Sequence, residues 1–254
     1  MILCSPRPVS IINAIMLAEI YNDLPCFKGE EQSLGLFGYT SAHDADNITT
    51  QTLVTRLAET GVQAGWLLAS PGKTLTRHIA ANLRYNAPDQ PALIFGAVEE
   101  ALRHGYNYSL NGIGSISRIF LQRYRAVYHE VHRMLGFIRF HPTPDGSLVA
   151  QPKLFHHTAD LILRQFAPRY PGNRLVLLLS NEALILDNGK LLSAPPENFL
   201  SYIQNDPFNE TWEKYYQSQY IASRKNSALA QRVIPKKYWS WLAEGRILNN
   251  IAQN

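Results

Sequence analysis

The sequence is poor in cysteine, with only Cys4 and Cys26 among 254 residues. That count excludes a disulfide framework, a four-cysteine zinc site and the three-cysteine loop of an iron–sulfur cluster, and it suits a reducing, cytoplasmic setting. No cofactor site is expected, so any such cluster must come from a partner. Long apolar runs are missing too. Leu175 to Leu179 and Ala183 to Leu186 fall far short of the ~20 residues that cross a bilayer, so no membrane association is expected. Met1 to Ile20 lacks a basic stretch ahead of its apolar part and reads as a structural helix, not a cleaved leader.

Several catalytic signatures are absent. Ser70-Pro71-Gly72-Lys73-Thr74 resembles the end of a phosphate-binding loop, but position 67, where the leading glycine belongs, is Leu67. A turn before a helix is the better reading. Asn111-Gly112-Ile113-Gly114-Ser115 has two glycines of a dinucleotide fingerprint and no strand before it. There is no Gly-x-Ser-x-Gly elbow, and no carboxylate pair stands out for acid–base work.

What remains is a globular composition, 46% hydrophobic and 17% charged, with a net charge of +4 and a pI near 9.0. The positive charge is concentrated. Arg118, Arg123, Arg125, Arg133 and Arg139 face only Glu130 between Arg118 and His141. Between Trp212 and Arg246 seven basic residues face Glu213 and Glu244.

Periodicity and turn residues predict an α+β chain: a helical N-terminal half, a central antiparallel sheet and a helical tail. Helices are expected from Pro8 to about Asn22, then over 49–69, 74–85 and 91–104, with Ser70-Pro71-Gly72 as a separating turn. Asp23 to Asn47 reads as a surface loop without function. A longer helix follows from about Ser115 to Leu135, stopped by Gly136, with Arg118, Gln122, Arg125, His129 and Arg133 on its polar face. The next segment has the order ββαβββ, with hairpin turns at Thr143-Pro144-Asp145-Gly146 and Asn188-Gly189. Closing helices are expected over 207–222, 227–233 and 235–242. The division is residues 1–115, mainly helical, and 116–243, α+β, as two regions or one continuous domain.

His129-Glu130-Val131-His132 invites a metal reading, but it is not His-Glu-x-x-His, and Arg125 and Arg133 would repel a cation. A phosphate contact and a histidine bonded at a helix end are the competing readings, and no metal is expected. His156-His157 precedes a helix, where capping competes with a site role. Trp212 to Tyr216, Ser223-Arg224-Lys225-Asn226 and Pro235-Lys236-Lys237-Tyr238-Trp239 interleave bases with aromatics. That pattern suits phosphate contact with base stacking, while composition alone favours an aromatic core beneath a solvated basic face.

Glu130 to Phe140, read Glu-Val-His-Arg-Met-Leu-Gly-Phe-Ile-Arg-Phe, resembles the helix-to-strand signature Glu-Ala-His-Arg-Met-Lys-Gly-Phe-Leu-Arg-Phe of a bacterial DNA-metabolism protein family. His156, Phe166, Arg169, Tyr170 and Pro171 fit that family's next block. Arg224, Asn226, Leu229, Pro235, Lys236, Tyr238 and Trp239 fit its last. The resemblance covers about residues 116 to 243; upstream it is one of layout, and the family's opening strand is not visible. It implies single-stranded or damaged DNA as ligand and a radical-SAM protein of DNA modification or repair as partner, and no known reaction. It also points to His132, Arg133, Arg139, His156, Arg224, Asn226, Lys236, Tyr238 and Trp239. Leu177-Leu178-Leu179-Ser180-Asn181 replaces the family's Ile-His-Asp segment, and Phe155 replaces the acid before the histidine, which favours an accessory role.

Three functions follow as expectations. The first is a DNA-binding accessory protein, gripping DNA through Arg118, Arg125, His129, Arg133, Arg139, Arg224, Lys225, Asn226, Lys236, Lys237, Tyr238 and Trp239. The second is a nucleic-acid enzyme with His132 and His156 as acid–base groups. The third is a scaffold for the radical-SAM protein.

Overall fold

The computed structural model describes residues 1–29, 43–204, 214–215, 218, 232, 234–242 and 245. The chain divides into two compact units, Met1–His129 and Glu130–Asn254.

The first unit opens on a strand, β1 (Ile2–Cys4), followed by helix α1 (Pro8–Tyr21). β1 pairs in parallel with β2 (Pro25–Phe27) on one side and β3 (His43–Asp44) on the other. The segment expected to be a surface loop therefore holds two of three strands. They escape sequence reading because strands of two or three residues cannot display a period, and buried parallel strands do not alternate. Parallel pairing needs a crossover, and α1 supplies it. Pro8 starts α1, Asn22 ends it in the left-handed conformation, and every residue from Ser10 to Leu17 is buried. Cys4 and Cys26 are buried thiols on adjacent strands. At the carboxyl ends of the strands, Lys28 at 2.7 Å, Arg7 at 2.8 Å and Ser5 all donate to Asp46. Lys28 and Ser5 above all hold that carboxyl far below the usual carboxylate range.

α2 (Thr50–Glu59), α3 (Ser70–Asn82), α4 (Gln90–His104), α5 (Tyr106–Leu110) and the first part of α6 (Ser115–Phe137) complete this unit. Ser70-Pro71-Gly72 is not a separating turn but the first turn of α3. Pro71 suits that position, and Gly72 lies so close to the Leu67 carbonyl that a Cβ would sit 1.9 Å from its oxygen. The core joins Ile11, Ile15, Leu53, Leu57, Leu75, Ile79, Ile94, Ala97 and Phe120.

His78 on α3 packs its ring 3.9 Å from that of Tyr124 and is only 7% exposed. Its Nδ1 has no hydrogen-bond partner among the described residues. Burial first, then the charges of Arg77 and Arg125, lower its pKa to about 4. Between pH 6.5 and 4 the unfolded chain then binds a proton that the folded chain refuses, so stability falls as pH drops through that window. The loss should approach about 3 kcal/mol at its acid end. Denaturant titrations should show that slope, and His78→Phe should flatten it; equal slopes would refute the assignment.

In the second unit β4 (His141–Pro142), β5 (Leu148–Ala150), α7 (Ala159–Phe166), β6 (Leu175–Leu178), β7 (Ala183–Asp187) and β8 (Lys190–Ala194) follow in the expected order ββαβββ. The five strands lie side by side in sequence order. One correction concerns direction: β5 and β6 are parallel, with Val149 opposite Val176, and the remaining pairs are antiparallel. The reason is α7, a crossover that returns the chain to the end of the sheet where β5 began. Asp145 organises the first hairpin, accepting from Thr143 Oγ1 and from Ser147 N at 3.2 Å. Asn188 and Gly189 turn the second with φ of 46° and 78°.

One face of this sheet packs on α7 and the end of α6, through Met134, Ile162, Leu163, Phe166, Leu175 and Leu177. The other packs on Phe199 of α8 (Glu197–Gln204), a helix the sequence reading passes over. The closing helices expected over 207–222 and 227–233 lie largely outside the described residues. Within 235–242 the chain makes a 3-10 turn, Lys236–Tyr238, in place of a helix. Among the described residues no helix is long and apolar enough to cross a membrane.

Candidate functional site

α6 is amphipathic, and its buried stripe runs through Phe120, Val127, Val131 and Met134. Glu130 falls on that stripe, between Val127 and Met134, and is only 1% exposed. A carboxyl group placed there needs donors. It receives the backbone N–H of Phe155 at 2.9 Å, that of His156 at 3.0 Å and the Thr158 hydroxyl at 2.9 Å. The Tyr238 hydroxyl adds a longer contact at 3.4 Å. Two donors address each oxygen. Thr158 precedes α7 but spends its hydroxyl on Glu130 instead of capping the helix. One carboxyl group thus ties α6 to the segment leading into α7 and to Tyr238.

Tyr238 is fully buried, its ring 5.7 Å from Phe137 and 5.3 Å, edge-on, from Phe155. Burial, reinforced by Glu130, pushes its hydroxyl up to about 12. Lys237 sends its ammonium over the Phe155 ring at 4.1 Å and the Tyr238 ring at 5.0 Å. Desolvation there lowers its pKa; Glu130 opposes the shift and Arg133 adds to it. His156 is half-buried, and burial lowers its pKa against the pull of Glu130, with Lys237 and His157 assisting. Its imidazole is therefore uncharged at neutral pH.

The structure gathers Arg133, His156, Lys237 and Tyr238 around Glu130, from three separate stretches of sequence. Arg133, half-buried, acts on the Tyr238 hydroxyl and on Lys237. His132 is exposed on α6 and is not among the groups acting on His156, which are Glu130, Lys237 and His157. Arg139 is exposed and donates to the Gly136 carbonyl at 2.7 Å, while Lys236 is exposed near the Trp239 ring. Trp239 is 8% exposed and donates its indole N–H to the Ile234 carbonyl at 2.7 Å. Burial corrects the reading of Tyr238 and Trp239 as base-stacking faces; in this arrangement they are core. Arg118, Arg125 and His129 are exposed in the first unit. Arg123 is engaged by Asp89 at 2.8 Å. Arg224, Lys225 and Asn226 lie outside the described residues. Among the described residues no three His, Cys, Asp or Glu side chains come together as a metal site.

Sequence reasoning names Glu130 as the lone acid of a basic segment, within His129-Glu130-Val131-His132 and at the head of the family signature, but gives it no role of its own. The available signal was its spacing, since residues 127, 130 and 134 share a helix face.

The second unit is thus a mixed sheet with a helix on each face and a buried carboxyl group beneath a cluster of cations. Residues 88–244, more than half of the chain, match a family described as a domain of unknown function, DUF4130, and the chain belongs to it. The match takes in Glu130, His156, Lys237 and Tyr238 and leaves out the N-terminal sheet. No curated protein and no solved structure matches the chain.

Proposed function

We propose that the second unit binds DNA, single-stranded or damaged, through the basic surface around Arg133, Arg139 and Lys236, and that it serves a radical-SAM protein as accessory. The observation that carries the DNA reading is an imbalance of charge. Residues 130–254 hold 14 Lys and Arg against 10 Asp and Glu, a net +4 equal to that of the whole chain. Glu130 is buried and occupied by its own donors. Arg139 and Lys236 are exposed and Arg133 is half-buried, and cations that meet solvent favour a polyanion. The radical-SAM partner is supported by the resemblance of the 130–140, 156–171 and 224–239 blocks to the DNA-metabolism family.

Fluorescence anisotropy with single-stranded, duplex and abasic oligonucleotides tests the reading. Between about 50 and 200 mM salt, log K should fall against log salt with a slope of about −2 to −3, as three phosphate contacts require. Absence of binding at the lowest salt, with and without the partner, would overturn it.

A further inference from the structure

We infer that α3 and the first part of α6 form a platform in the first unit that binds single-stranded DNA by stacking unpaired bases on Tyr124 and Tyr128. It shares no residue with the second-unit surface proposed above and goes beyond it, so either can fail without the other.

The starting point is a row of rings. Tyr124 lies between His78 of α3, 3.9 Å away from centroid to centroid, and Tyr128 one turn further along α6, at 4.9 Å. His78 is buried, Tyr124 is half-buried and Tyr128 is 39% exposed, so the row rises from the core to the surface. A ring supported by its neighbours is already ordered, and a base that covers it costs little further side-chain freedom.

Charge selects the ligand. α3 and residues 115–129 of α6 hold Lys73, Arg77, Arg118, Arg123 and Arg125 and not one Asp or Glu. Asp89 takes up Arg123 at 2.8 Å, and Glu100 accepts the Ser117 N–H near the start of α6 at 3.1 Å. Arg77 and Arg125 are exposed and make no ion pair among the described residues. They adjoin the row, Arg77 next to His78 and Arg125 next to Tyr124, and the charges of both act on the His78 ring. Arg118, also exposed, lies two turns before Arg125 on the same face of α6. Cations beside exposed aromatic faces match a chain in which phosphates alternate with bases. A duplex keeps its base faces stacked inside, so the platform selects a single strand. An acidic peptide would satisfy the arginines but brings no row of flat rings to lie on the tyrosines.

The test uses the full chain and a labelled oligothymidylate carrying 5-iodouracil, a base that crosslinks on irradiation to a ring stacked against it. Peptide mapping should place the adduct on Tyr128 or Tyr124. In anisotropy Tyr128→Ala should weaken single-strand binding about fivefold or more, while Tyr128→Phe, which keeps the ring, should match wild type. Arg77→Ala/Arg125→Ala should make the log–log salt slope shallower by about 1.4, at about 0.7 per phosphate contact on a single strand. All three side chains are exposed, so the variants keep the fold. Undiminished binding by Tyr128→Ala, with an adduct in the second unit alone, would overturn this inference and leave the reading above standing. Loss in the α3–α6 variants with none in Arg133→Ala/Lys236→Ala would support it and overturn that reading. No binding by wild type at the lowest salt would remove both. Displacement of the oligonucleotide by polyglutamate as efficiently as by unlabelled oligonucleotide would also overturn it and assign this face to an acidic protein.

Discussion

Replacing Glu130 with alanine should destabilise the second unit by about 3–5 kcal/mol, since it leaves three donors, one buried and two part-buried, without their acceptor at about 1–3 kcal/mol each. The N–H groups of Phe155 and His156 and the Thr158 hydroxyl all lie within 3.0 Å of its oxygens. Glu130→Gln keeps the volume and one acceptor oxygen, but turns an NH2 toward groups that are themselves donors, so it should lose about half as much. In thermal melts the alanine variant should drop by about 10 °C. Hydrogen exchange should show why, with the amides of Phe155 and His156 exchanging faster while those of β6 and β7 follow global unfolding. An unchanged melt would mean that water satisfies these donors and that Glu130 does not fix the segment carrying His156.

Tyr238→Ala should cost a similar amount, about 3–5 kcal/mol, because it empties a fully buried aromatic site between Phe137 and Phe155. Tyr238→Phe should cost about 1 kcal/mol or less, because the hydroxyl's contact with Glu130 is long, at 3.4 Å. Denaturant unfolding of the two variants separates a core tyrosine from a surface one. A side chain held out for base stacking would tolerate either change within about 0.5 kcal/mol.

Tyr238 and Trp239 show where sequence reading reached its limit. Alternating bases and aromatics describe a stacking surface and a core edge equally well, and only the partners at Phe137, Phe155 and Ile234 decide between them. Where local chemistry dominates, the reading held. β7 spans Ala183–Asp187, over the apolar run Ala183 to Leu186, and Asn188-Gly189 adopts the positive φ that its hairpin needs. Gly136 was a poorer guide. The helix passes through it to Phe137, because one glycine near a helix end costs only about 1 kcal/mol and the packing of Met134 and Phe137 outweighs it. The parallel sheet of the first unit was illegible for a different reason. Its strands are too short for a pattern, and their pairing is long-range, joining Leu3 to Cys26 and to Asp44. Of the site, the cations could be seen in the sequence and the carboxyl group that gathers them could not. An acid inside an apolar stripe is a tertiary feature, and its four donors are separated from it by 25 residues or more.

The measurement closest to the central claim compares wild type with the Arg133→Ala/Lys236→Ala double variant in oligonucleotide binding at low salt. Two lost phosphate contacts should weaken binding about tenfold or more and make the log–log salt slope shallower by about 2. Equal affinity and equal slope in the two proteins would show that DNA, if bound, is held elsewhere on the chain.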